Sequence, residues 1–116
     1  MDPIRTGKHL ERLQKRRDQV ALTLGYIGKE QKEAEQNTDW LDQATYKSRI
    51  ALLDRLSEWY IDEMEEIDKA IDRVQKSTYG LCLACHNAIE AHRLDLFPEA
   101  QFCFDCQAFR ERLKAG

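Results

Sequence analysis

The chain has 116 residues, 34% charged, 42% hydrophobic and 9% aromatic, with a mean hydropathy of −0.67. So short a chain builds one compact unit, or one small module with an extension, and this composition suits helices with wide solvated faces better than a thick globular core. A net charge of −3 gives no field for approaching phosphate backbones, so autonomous nucleic-acid binding is not expected. With neither a signal-peptide pattern nor an apolar run of roughly 18 residues, a soluble, cytoplasmic protein without a membrane partner is expected.

From Ile4 to about Gln36 the chain has no proline, and Leu10, Leu13, Val20, Leu24, Ile27 and Ala34 recur in steps of three and four, with Arg17 and Gln31 on the remaining rungs. That is a heptad seam. From about Ala44 to Lys76 a second ladder runs through Leu53, Leu56, Tyr60, Ile67, Ala70 and Val74, with Glu63 on one rung and Met64 beside it. Between them, Asn37, Thr38, Asp39, Trp40, Leu41, Asp42 and Gln43 form a cluster suited to a turn and a helix N-cap.

Charge selects the orientation of the two helices. Residues 5 to 17 hold six bases against one acid, and residues 58 to 72 hold seven acids against one base, Lys69. An antiparallel hairpin brings these segments side by side, each exposed pair contributing only about 0.2 to 1 kcal/mol. At about 1.5 Å per residue, helices of this length would reach on the order of 50 Å. Gly80 reads as the stop signal that ends the second helix.

The remaining segment is dense in cysteine. All four cysteines fall in two pairs, Cys82 with Cys85 and Cys103 with Cys106, separated by seventeen residues, the spacing of a four-thiolate zinc site. Two such knuckles complete a closed tetrahedron with no position for water or substrate, so one structural zinc ion and no catalysis are expected. A module this small buries too little apolar area to fold unaided, and metal binding would supply much of its folding free energy.

Three other readings of these cysteines compete. Cys82, Cys85 and His86 match the pattern for covalent haem attachment, which would leave Cys103 and Cys106 without a role. A two-disulfide scaffold conflicts with a cytoplasmic compartment, and a thioredoxin-like site lacks its strand and helix context. His86 reads as an exposed knuckle residue, and His9 and His92 as residues of solvated helix faces. The segment from Gln107 to Lys114 reads as a short helix packed on the module.

The fold class is therefore mainly α: a long antiparallel coiled-coil hairpin over residues 1–78, its tip at about 37–44, and a four-cysteine zinc-finger module with a short terminal helix over 79–116. Tyr79, Gly80, Cys82, Cys85, Ile89, Arg93, Leu94, Pro98, Cys103, Cys106 and Gln107 together resemble the signature of the DksA/TraR (DnaK suppressor) zinc-finger family. Asp39, Asp42 and Ala44 are similar to the tip motif of its DksA-like branch.

The resemblance implies a monomeric transcription regulator that binds RNA polymerase through its secondary channel, its tip near the active centre, altering open-complex stability and initiation. It implies Asp39, Asp42 and Ala44 as the partner-binding tip and Cys82, Cys85, Cys103 and Cys106 as zinc ligands. His86 departs from the family pattern, which has glycine there. Family members that bind guanosine tetraphosphate use bases around the zinc module, whereas Leu96, Phe97, Pro98 and Gln107 offer none, so weak sensitivity to that nucleotide is expected. On the bare sequence, Asp39 and Asp42 also serve as caps of the second helix. Two other functions remain open: a transcript-cleavage factor, whose tip acids would help the polymerase hold a metal ion, and a DNA-binding zinc protein using the bases from Lys8 to Arg17.

Overall fold

The computed structural model describes residues 3–36 and 43–115. Four α-helices follow in order: α1 (Pro3–Gln36), α2 (Gln43–Gln75), α3 (Ala91–Leu96) and α4 (Phe104–Ala115). Among the described residues the only β pairing is an isolated antiparallel bridge between Leu81 and Ala88. The mainly α expectation is met.

The chain divides into two compact units. In the first, Arg17–Glu65, α1 contributes buried Val20, Ile27 and Ala34, and α2 contributes buried Leu53. The Gln31 amide donates to the Asp54 carboxylate at 3.0 Å, and Arg49 pairs with Glu30 at 2.5 Å. Late residues of α1 thus meet early residues of α2, and the helices are antiparallel. Leu13, Val20, Ile27 and Ala34 are the buried rungs of α1, seven residues apart as a heptad requires. Leu10 and Leu24 are half-buried, and Leu56 is more exposed than its place on the ladder suggested.

The second unit joins the start of α1, up to Arg16, with everything from Glu66 onward. Leu13, Ile67, Ala70, Tyr79, Cys82, Ile89 and Leu94 form its apolar core. Its three fully buried large side chains, Leu13, Ile67 and Leu94, contribute on the order of 5 to 9 kcal/mol, so this small core depends on further supports. One is Tyr79, whose buried hydroxyl donates to the Pro98 carbonyl at 2.8 Å. Burial pushes that phenol up to about 12, and it remains a donor across the working pH range.

Gly80 does not end α2. The stop is at Ser77, which adopts φ 62° while Ser77 N donates to Val74 O and Thr78 N donates to Arg73 O. That pair of bonds with a left-handed residue between is a Schellman closure, reached here without glycine. Gly80, at φ 88°, serves the next turn, where its carbonyl accepts from Ile89 N at 2.7 Å.

His9 also departs from expectation: it is 2% exposed, not solvated. Its ring lies 5.9 Å from that of Tyr79, and Nε2 lies 3.3 Å from an Asp95 carboxylate oxygen. That is ion-pair range without hydrogen-bond geometry, and neither ring nitrogen has a hydrogen-bond partner. Desolvation by burial lowers the His9 pKa; Asp95 raises it in part, while Arg12 and Arg5 lower it further. A folded-state pKa below the unfolded value means that the unfolded chain binds the extra proton first, so His9 subtracts stability as pH falls through about 6.5 and below. A His9→Leu variant should therefore lose less melting temperature than the parent between pH 7.5 and pH 5.5. Parallel losses in the two proteins would rule His9 out as the source.

Candidate metal centre

Cys82 and Cys85 lie on the first knuckle, which the bridge holds in place. Cys82 N donates to Asn87 O at 2.8 Å, and His86 N closes the turn on Cys82 O at 3.0 Å. The second knuckle opens α4: Cys103 precedes it and Cys106 sits in its first turn, with Gln107 N donating to Cys103 O at 2.9 Å. Leu83 N donates to Gln101 O at 2.9 Å, tying one knuckle to the other. The Glu90 carboxylate accepts from Phe104 N at 3.3 Å, placing negative charge at the start of α4, where the helix dipole favours it.

These bonds bring the four sulfurs within 4.8 Å of one another, with Cys85 and Cys103 Sγ atoms 3.9 Å apart. A tetrahedral zinc with bonds of about 2.3 Å requires sulfurs about 3.8 Å apart, so the donor set fits. Its protonation chemistry agrees. Burial opposes ionisation of Cys82, but hydrogen bonds from the backbone N–H groups of Cys85, Cys103 and Ala84 outweigh it and bring the thiol down to about 6. Contacts with the Cys103 and Cys82 sulfurs push Cys106 up to about 12. A bound cation would favour the thiolate of Cys106. All four predicted cysteines are thus assembled, and the site takes one metal ion.

Residues 77–112 match the prokaryotic dksA/traR C4-type zinc finger. That segment is a C4-type zinc finger of the dksA/traR kind. It is 39% identical over 88 residues to an uncharacterized protein of Aquifex aeolicus (strain VF5), covering 74% of this chain and 57% of that one. It is 29% identical over 103 residues to the RNA polymerase-binding transcription factor DksA of Escherichia coli (strain K12), covering 86% of this chain and 66% of the relative. The chain therefore spans less than two thirds of the length of these curated relatives. Transcription factor DksA2 from Pseudomonas aeruginosa shares the fold, with a TM-score of 0.89 at 23% identity over 100% of this chain and 90% of that one.

As a C4-type zinc finger, this segment carries one zinc ion on its four cysteines. Zinc is thereby preferred over haem, disulfides and a thioredoxin-like site.

His86 is exposed, as expected, and adopts φ 64°. The resemblance noted in the sequence implies glycine at that position, and the left-handed region costs a residue with a Cβ about 1 kcal/mol or more. His86→Gly should tighten zinc binding roughly fivefold, equivalent to about 1 kcal/mol, in a chelator competition. An unchanged affinity would show that the turn holds no such strain.

The tip residues stand differently. Asp39 and Asp42, with Trp40 and Leu41, lie outside the described residues, and Ala44 is exposed in the first turn of α2. Among the described residues no helix is long and apolar enough to cross a membrane. His92 is exposed as expected.

Proposed function

We propose that this protein is a cytoplasmic transcription regulator that acts by binding RNA polymerase, entering its secondary channel with the hairpin of residues 1–78, while residues 79–116 form the zinc module. Asp39, Asp42 and Ala44 act near the polymerase active centre and alter open-complex stability and initiation. The protein works as a monomer and performs no reaction itself. The observation that carries the reading is the presence of a four-cysteine site and an antiparallel helix pair in a chain whose relatives include RNA polymerase-binding transcription factors.

A carboxylate presented by a rigid element acts on a partner's metal site by coordinating or repelling the ion, or by accepting hydrogen bonds around it. Sensitivity to guanosine tetraphosphate is weak, because Phe97 and Gln107 lie in one groove with Glu66, Glu99 and Glu111, surroundings that oppose a phosphate.

The test is Asp42→Asn. The variant should keep its zinc and bind core RNA polymerase within about threefold of the parent, since an exposed charge contributes under 1 kcal/mol, yet lose its effect on initiation in a promoter assay. Full regulation by the variant would remove the tip from the mechanism. Failure of the parent to bind polymerase would reject the whole reading.

A further inference from the structure

The zinc module carries a groove of about 490 Å³ that the metal site does not use. Its apolar part comes from Phe97, Phe102 and Phe104, and its acids are Glu66 of α2, Glu99 of the loop after α3 and Glu111 of α4. These residues are remote in sequence, and the packing of the module brings them to one place. Phe97 is 52% exposed and Phe104 64% exposed, so two aromatic rings stand in water beside carboxylates.

The groove has a definite electrical sense. Three carboxylates line it against one base, Arg93, and the Nε–H of that base donates to the Phe102 carbonyl at 3.0 Å. The Gln107 amide donates to the Glu111 carboxylate at 3.0 Å, which leaves that group further acceptor positions, because an ionised carboxylate offers about four. Arg110, Arg112 and Lys114 of α4 are not among the lining residues. The Arg110 guanidinium does lie 4.3 Å over the Phe102 ring, so the chain itself stacks a guanidinium on one of these aromatics.

We infer that this groove is a docking site for a basic segment of a protein partner, in which arginine or lysine side chains alternate with apolar ones. Arginine suits both parts of the groove: its plane stacks on an aromatic ring while its N–H groups pair with a carboxylate. Apolar neighbours in the same segment cover Phe97 and Phe104, whose exposure costs free energy while the groove is open. An acidic peptide or a nucleotide meets like charge here instead.

The experiment titrates zinc-loaded, isotope-labelled protein with a ten-residue synthetic peptide of alternating arginine and leucine and follows backbone amide signals. The same peptide with glutamate in place of arginine, and guanosine tetraphosphate, serve as the anionic probes. The basic peptide should shift the amides of Phe97, Phe102, Phe104 and Gln107 saturably, and the anionic probes should not. A Glu99→Gln, Glu111→Gln double variant should weaken binding about tenfold, as two ion pairs of about 0.7 kcal/mol predict. A Glu33→Gln, Glu35→Gln double variant of equal net charge should bind like the parent. Equal losses in the two variants would mean attraction to the acidic molecule as a whole and would overturn the site. So would absence of shifts in the groove, or stronger binding of either anionic probe.

Discussion

Cys103→Ser is expected to abolish stoichiometric zinc binding and unfold the module around it. Structural zinc sites of this type bind with about 10 to 16 kcal/mol, so one ligand in four accounts for about 3 to 4 kcal/mol even before the geometry relaxes. A serine hydroxyl is a poor substitute, because at neutral pH it stays protonated and zinc favours the thiolate. Little else holds this part of the chain: Tyr79, Cys82, Ile89, Leu94 and Pro98 are its buried apolar side chains among the described residues beyond α2, and α4 has none. Metal analysis should show well under one zinc per chain, and amides of the knuckles, including Cys82 N and Ile89 N, should lose protection from hydrogen exchange. Retention of one tightly held zinc with unchanged protection would refute this account of the module.

The helix pair and the zinc site were legible in the sequence for different reasons. Heptad spacing is a direct projection of helix geometry, so Leu13, Val20, Ile27 and Ala34 could be placed on one face from their numbers alone. Cysteine spacing is similarly local, because two residues between ligands let both thiolates of a knuckle reach one ion. The end of α2 was legible only to within its last turn. Glycine is the common left-handed residue, which drew attention to Gly80, yet Ser77 takes that conformation under the hydrogen bonds that close the helix.

His9 and the acidic groove were not legible, because each depends on partners far along the chain. Position 9 lies four residues before Leu13 and position 10 three before it, so both fit the ladder, and hydrophobicity alone selects Leu10. What buries His9 is the arrival of Tyr79 and Asp95, some seventy to eighty-six residues later. Arg12 reinforces that contact by donating to the Asp95 carbonyl. Glu66, Glu99 and Glu111 converge in the same way, and no periodicity links them. The sequence did show that Phe97 and Gln107 lack charge, but which charges replace the missing bases is a matter of tertiary packing.

Leu13→Ala is the second change with a large expected effect, and it separates the helix seam from the metal. Leu13 is 1% exposed and among the largest fully buried side chains, in the same compact unit as the zinc site. Truncation removes its transfer free energy and leaves a cavity that a helix held at both ends cannot close, a loss of about 3 kcal/mol or more. Small domains are stable by only about 5 to 15 kcal/mol, so the midpoint of urea unfolding should fall well below that of the parent. Leu22→Ala, at a position 68% exposed, should change it by no more than about 0.5 kcal/mol. The four cysteines make none of their bonds through Leu13, so in the absence of denaturant the variant should still hold one zinc, unlike Cys103→Ser. Equal effects of Leu13→Ala and Leu22→Ala would mean that α1 is not seated on α2 by its heptad rungs. Loss of zinc from Leu13→Ala would mean that the knuckles depend on the helix pair for their own folding.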